Sequence, residues 1–190
     1  MSEVCAVEHL RMTPGRVARR SLAILAGVVL VALGAQLAVP IPGTVVPMTF
    51  QVPAVLIVGG LLGPRMGAAS LVVYLMLGAA GLAVFAPTGM VGFARLLGPT
   101  GGYLLAFPAA AAFVGVVIRD ATSWLRIAAG LAGGLIAIHL GGIAQLAILT
   151  GGLERAVVLG SVPFLAGDLI KLVVAGLIVR RFGSRARALL

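Results

Sequence analysis

Long apolar runs, broken by short polar or Pro/Gly-rich connections, account for nearly the whole chain. The first apolar run, Ser21 to Val39, carries no charge and at about 19 residues is long enough to span a bilayer. The polar, basic stretch 1–20 before it carries Arg11, Arg16, Arg19 and Arg20. A basic start and an apolar run also describe a signal peptide. The length of the run and the second membrane segment behind it favour a first span. Next comes Pro40-Ile41-Pro42-Gly43-Thr44-Val45-Val46-Pro47, whose prolines exclude a helix interior and predict an ordered loop. Met48 to Leu62 is apolar but short, with Gln51 and Pro53 near its start. Short, Pro/Gly-interrupted apolar segments in membrane proteins often line a cavity. Gly63-Pro64-Arg65 is a tight connection into a third segment, Met66 to Leu82. A breaker-rich loop from Phe85 to Arg95 follows, then a helix start at Pro99-Thr100 and a fourth segment ending near Ile118, with Pro108 inside it. Residues 119–126 connect to a fifth segment, Ile127 to Leu149. Residues 150–162 form a loop, and Pro163 opens a sixth segment that closes at Arg180-Arg181.

The pattern predicts an all-α integral membrane protein with six transmembrane helices: a basic segment at 1–20, a membrane domain at 21–182 and a basic tail at 183–190. Composition agrees. The chain is 61% hydrophobic and 10% charged, against roughly 25% charged in soluble domains, and its mean hydropathy is +1.19. The net charge of +9 would point to nucleic acid in a soluble protein. Here the basic residues lie between spans and at the ends, so they report orientation, and no nucleic-acid partner is expected. With both termini cytoplasmic, eleven arginines fall on the inner side, and two, Arg95 and Arg155, fall outside. The lone cysteine, Cys5, leaves no disulfide within the chain.

Against this apolar background the charged pair Asp168 and Lys171 stands out. The two are three residues apart, on one face of the last helix. Each charge costs roughly 2.5–3.5 kcal/mol inside a bilayer, which makes the pair a candidate substrate or ion site. In this topology both lie in the outer half of the membrane, where loops 40–47, 86–98 and 150–162 gather. Arg95 belongs to one of those loops, so the three charges are expected to converge on an outward cavity. Lysine and arginine suit a carboxylate, arginine bidentately. Aspartate would accept N–H donors from a substrate or hold one of the cations. Gly98, Gly101 and Gly102 would permit close backbone approach. Tyr103, Phe85 and Phe93 could wall the cavity. Thr49 and Gln51 fit either pocket lining or loop bracing. The competing reading is that Asp168 and Lys171 only neutralise one another. His139 has no acid within a helical turn and is expected to be a packing histidine, with Gln145 similar. The small residues Ala23, Gly27 and Ala35 form a stripe suited to close helix contact, within the bundle or with a partner. The chain lacks G-x-x-x-x-G-K-[ST], H-E-x-x-H, a Cys/His cluster and G-x-S-x-G, so neither ATP hydrolysis by that route, a metal site nor an enzyme's catalytic set is expected.

Several of these strings resemble the BioY family. They are the run Pro40 to Gln51, Leu62-Gly63-Pro64-Arg65-Met66-Gly67, Tyr74 to Gly81, Leu97-Gly98-Pro99-Thr100-Gly101-Gly102-Tyr103-Leu104 and Gly167-Asp168-Leu169-Ile170-Lys171. The resemblance spans about 20 to 182. It implies the six-helix fold of an S component, the substrate-binding subunit of an energy-coupling factor (ECF) transporter, in the bacterial inner membrane. It also implies high-affinity capture of biotin as transported substrate, no cofactor, and partnership with a transmembrane coupling protein and two ABC-type ATPases. Carried over, Arg95, Asp168 and Lys171 become the main polar contacts, with Tyr103 and Gln51 beside them. Ala23, Gly27 and Ala35 become the docking stripe for the coupling protein. Ala86-Pro87 stands where many members have an asparagine or glycine, so a side-chain amide contact to the ureido group is not expected from that loop. The alternatives are an S component for another small carboxylate vitamin, or a ligand-free structural membrane subunit.

Overall fold

The computed structural model of the protein describes residues 14–119 and 123–190. The first part of the basic N-terminal segment, with Arg11, and Asp120 in the 119–126 connection lie outside them. The chain runs through α1 (Pro14–Gln36), a short antiparallel pair β1 (Ala38–Val39) and β2 (Met48–Thr49), α2 (Gln51–Ala79), α3 (Ala94–Leu97), α4 (Gly101–Ile118), α5 (Trp124–Thr150), α6 (Leu153–Gly160), a 3-10 turn (Val162–Phe164) and α7 (Leu165–Ala188). Among the described residues, five helical stretches are long and apolar enough to cross a membrane.

The 29-residue α2 is not a straight rod. Gly63 breaks it with φ 77° and ψ −179°, a conformation that glycine adopts at no steric cost. The chain turns back there. Gln51 Nε2 donates to the Tyr74 hydroxyl at 2.6 Å, although a continuous helix would hold residues 23 apart about 35 Å from each other. The two legs flank the Gly63-Pro64-Arg65 connection expected from sequence.

Helix packing is built on small residues, as expected where lipid is as apolar as the side chains. A methyl group at Gly59 would sit 2.5 Å from the Ala111 carbonyl oxygen, and one at Gly102 would overlap the Gly141 carbonyl, so α4 touches α2 and α5 backbone to backbone. Part of the small-residue stripe on α1 is used in the same way, within the chain itself. Gly27 lies against Ser70, with room for no more than a hydrogen (a methyl group would be 2.7 Å from Ser70 Oγ). Ala35 is fully buried and Ala23 partly so. Gly27 thus packs α1 on the chain's own hairpin, and the outward face of α1 carries Leu22, Leu25, Val29 and Leu33.

Three boundaries also differ from expectation. Helix α1 begins at Pro14 within the basic segment, and α7 continues through the expected tail as far as Ala188. Loop 150–162 contains α6, which Gly151, left-handed at φ 73°, separates from α5.

Candidate functional site

A cavity opens at the end of the bundle where Gln51 and Tyr74 meet. Arg95, Asp168, Lys171, Tyr103, Gln51, Thr49 and Phe85 all line it. The structure therefore brings together every residue singled out as substrate-binding in the sequence. Met48, Phe107, Ile138 and Phe164 supply the apolar wall. Phe93 does not; it faces outward at 62% exposure. Gly98, Gly101 and Gly102 do not line the cavity either. The close approaches they permit are to Met90, the Leu96 carbonyl and the Gly141 carbonyl.

The helical wall holds a closed polar network. Asp168, 3% exposed, accepts from Lys171 Nζ through Oδ1 at 3.0 Å. Its other oxygen, Oδ2, lies 2.8 Å from His139 Nε2. A carboxylate only accepts, so that imidazole nitrogen carries the proton. The second ring nitrogen, Nδ1, lies 2.8 Å from Ser161 Oγ and accepts the serine hydroxyl in the neutral ring. His139 also lines the cavity and meets the Tyr103 ring edge to face at 6.2 Å. The expectation of a packing histidine is thereby corrected. Its acid partner comes from a different helix, 29 residues further on, where a search within one turn could not find it.

The loop wall is different. Arg95 is 5% exposed. Its guanidinium makes one long bond, from Nη1 to the Met90 carbonyl at 3.4 Å, and its buried Nε has no partner. No acid side chain pairs with it among the described residues. Burial pulls the Arg95 pKa below its ordinary value, with Tyr74 acting the other way, yet a guanidinium stays charged in a protein. Gln145 explains how so strained a charge is held. Its amide donates to the Leu96 carbonyl at 2.9 Å and the Gly98 carbonyl at 2.7 Å, pinning α3 to α5.

The remaining lining residues are braced as well as exposed to the cavity. Tyr74 passes the Gln51 hydrogen bond on to the Val84 carbonyl at 3.0 Å and stacks edge-on against Phe85 at 5.4 Å. Thr49 Oγ1 donates to Gln51 Oε1 at 3.2 Å. Tyr103 donates to the Gly160 carbonyl at 2.7 Å, while Thr44 in the proline loop donates to the Leu159 carbonyl at 2.6 Å. Two loops and α6 are thus tied over the cavity. Its charge balance is one carboxylate against lysine and arginine, a surplus of one cation with a neutral histidine. Such a site is suited to a small molecule that has an apolar body, N–H donors for Asp168 and one anionic group for Arg95.

Comparison with known proteins follows the same line. The sequence profile of the BioY family matches residues 7–188. A protein of Pyrococcus horikoshii named "Probable biotin transporter BioY" is 40% identical over 157 residues, covering 81% of this chain and 90% of the relative. The biotin transporter BioY of Thermotoga maritima is 38% identical over 153 residues, covering 80% and 88%. Among solved structures, the S-component for biotin from an ECF-type ABC transporter superposes with a TM-score of 0.82 at 27% identity, covering 90% of this chain and 94% of that one.

Proposed function

The chain belongs to the BioY family, and we propose that it captures biotin as the substrate-binding S component of an ATP-driven ECF transporter. It is a multi-pass membrane protein and a transport subunit, and its enzymology resides in its partners. The observation that carries the reading is the surplus cation of the cavity. Asp168 is already engaged by Lys171 and His139, whereas Arg95 is buried with an unpartnered Nε. A valerate carboxylate supplies the missing acceptor, and Lys171 lines the same cavity. Asp168 accepts from the ureido N–H groups, and Phe107, Phe164 and Tyr103 enclose the bicycle. Gln51, Thr49 and Phe85 complete the lining. No cofactor is needed for this role.

The topology that serves this function has six spans with both termini cytoplasmic. The reversal at Gly63 splits α2 into two antiparallel legs, which adds one span to the five long helical stretches. Arg20, Arg65, Arg119 and Arg187 gather at the end opposite the biotin cavity, so the positive-inside preference turns the cavity outward. The membrane is the bacterial inner membrane. The partners are a transmembrane coupling protein and two ABC-type ATPases.

The test is biotin binding by the purified chain in detergent, alone and as Lys171→Met, with desthiobiotin and unrelated vitamins as competitors. Tight, biotin-selective binding that weakens in the variant supports the assignment. Binding of another acidic vitamin in preference to biotin points to an S component of different specificity. Absence of any ligand in the folded wild type overturns the reading.

A further inference from the structure

A second cavity adjoins the first on its loop side, between the proline loop and residues 88–100. The linings of the two share Val46, Pro47, Arg95 and Thr100, so Arg95 stands at their boundary. Ile41, Val45 and Met90 make the outer wall largely apolar, and no acidic side chain lines it among the described residues. Of its polar side chains, Thr44 already donates to the Leu159 carbonyl. Thr88 is different. Its Oγ1 and Arg95 Nε are the two buried side-chain polar atoms that lack a hydrogen-bond partner among the described residues. The two orphans share a neighbourhood. A methyl group at Gly89, the residue after Thr88, would sit 3.1 Å from Arg95 Nη1, so the backbone beside Thr88 lies against the guanidinium. Buried polar groups are rarely left unpaired, and each exception calls for a physical reason.

We propose that Thr88 is a specificity-determining residue of the biotin site, whose hydroxyl donates to the same carboxylate that Arg95 binds. The inference rests on the biotin reading of the first cavity and deepens it. A carboxylate has two oxygens with about four acceptor positions. An arginine fork occupies two of them, which leaves room for one hydroxyl beside it. The acid end of the ligand then lies at the boundary of the two cavities, held by Arg95 and closed from the loop side by Thr88. Gly89, left-handed at φ 84°, lets the loop backbone approach the guanidinium where a side chain would crowd it. One anion thus satisfies both orphan donors. An uncharged amide offers a single weaker acceptor, so Thr88 sharpens the choice of the acid over its neutral analogues.

The experiment measures binding of biotin and of its primary amide to the full chain in detergent by calorimetry. Wild type is compared with Thr88→Val, with Thr88→Ser, and with Thr88→Val placed in the Arg95→Gln background. The unfolding temperature of each ligand-free protein is recorded as well. Valine keeps the branched shape and removes only the hydroxyl. Thr88→Val is expected to bind biotin about ten-fold more weakly and the amide within about three-fold of wild type. Without ligand it should unfold at or above the wild-type temperature, because an unsatisfied buried hydroxyl has gone. Thr88→Ser keeps the hydroxyl and should keep the preference for the acid. In the Arg95→Gln background the valine substitution should weaken biotin binding by less than about three-fold, since the two groups act on one carboxylate. Unchanged biotin affinity in Thr88→Val overturns the assignment while leaving the biotin reading intact. Equal losses for acid and amide overturn it too, because a loosened loop weakens every ligand alike. A folded wild type that binds no biotin overturns the reading of the cavity itself, and the role of Thr88 with it.

Discussion

The two walls of the cavity handle buried charge in opposite ways. On the helical wall, both oxygens of Asp168 are engaged, by Lys171 and by His139, and His139 is fixed in turn by Ser161. On the loop wall, Arg95 is equally hidden but makes one long bond to the Met90 carbonyl and leaves Nε unpartnered. The first wall is complete without ligand; the second is complete only with an anion. A preorganised network lowers the cost of ordering on binding, while an under-satisfied cation gives the ligand something to gain. The helical wall therefore carries stability as well as affinity, the loop wall affinity alone, and substitutions can separate the two.

The largest effect is expected from breaking the helical wall. Asp168→Asn leaves Lys171 buried without its counter-ion and is expected to cost about 3–5 kcal/mol of stability, seen as a clear drop in unfolding temperature, together with loss of biotin binding. Arg95→Gln is expected to weaken biotin binding by about 2–5 kcal/mol, the usual cost of losing one partner of a buried charge pair. Its unfolding temperature without biotin should hold or rise, since an unpaired buried charge has been removed. If the apo protein melts as early as Asp168→Asn, the two walls do not differ as described. His139→Phe strips one acceptor bond from Asp168 and one partner from Ser161. A loss of about 1–3 kcal/mol is expected in stability, with a smaller loss in affinity measured by calorimetry. Tyr103→Phe removes a single bond to the Gly160 carbonyl and is expected to cost only about 1 kcal/mol, mostly in affinity because α6 loosens over the cavity.

The same contrast separates what is legible in the sequence from what is not. Charged and breaker residues are conspicuous in an apolar chain, so the residue pattern alone directs Asp168, Lys171, Arg95, Gln51 and the proline loop to one end of the bundle. The Gly63-Pro64-Arg65 turn is legible for the same reason. The role of His139 is not, because its acid sits on another helix, and local spacing cannot report contacts made by tertiary packing. Helix α6 is hidden because a short element between Gly152 and Ser161 owes its place to Tyr103 and Thr44, not to its own propensity. Ala23, Gly27 and Ala35 show the reverse difficulty. A small-residue stripe states that something packs closely, and only the fold shows that at Gly27 the neighbour is Ser70 of the chain's own hairpin.

The central claim is that biotin completes Arg95. Its most direct test is a calorimetric cycle with biotin and its uncharged primary amide, on wild type and on Arg95→Gln. Wild type is expected to prefer biotin strongly and the variant to lose most of that preference, so that the carboxylate and the arginine are coupled by at least tenfold. Equal preference for the acid in both proteins would contradict it and move the carboxylate to Lys171 or to backbone donors.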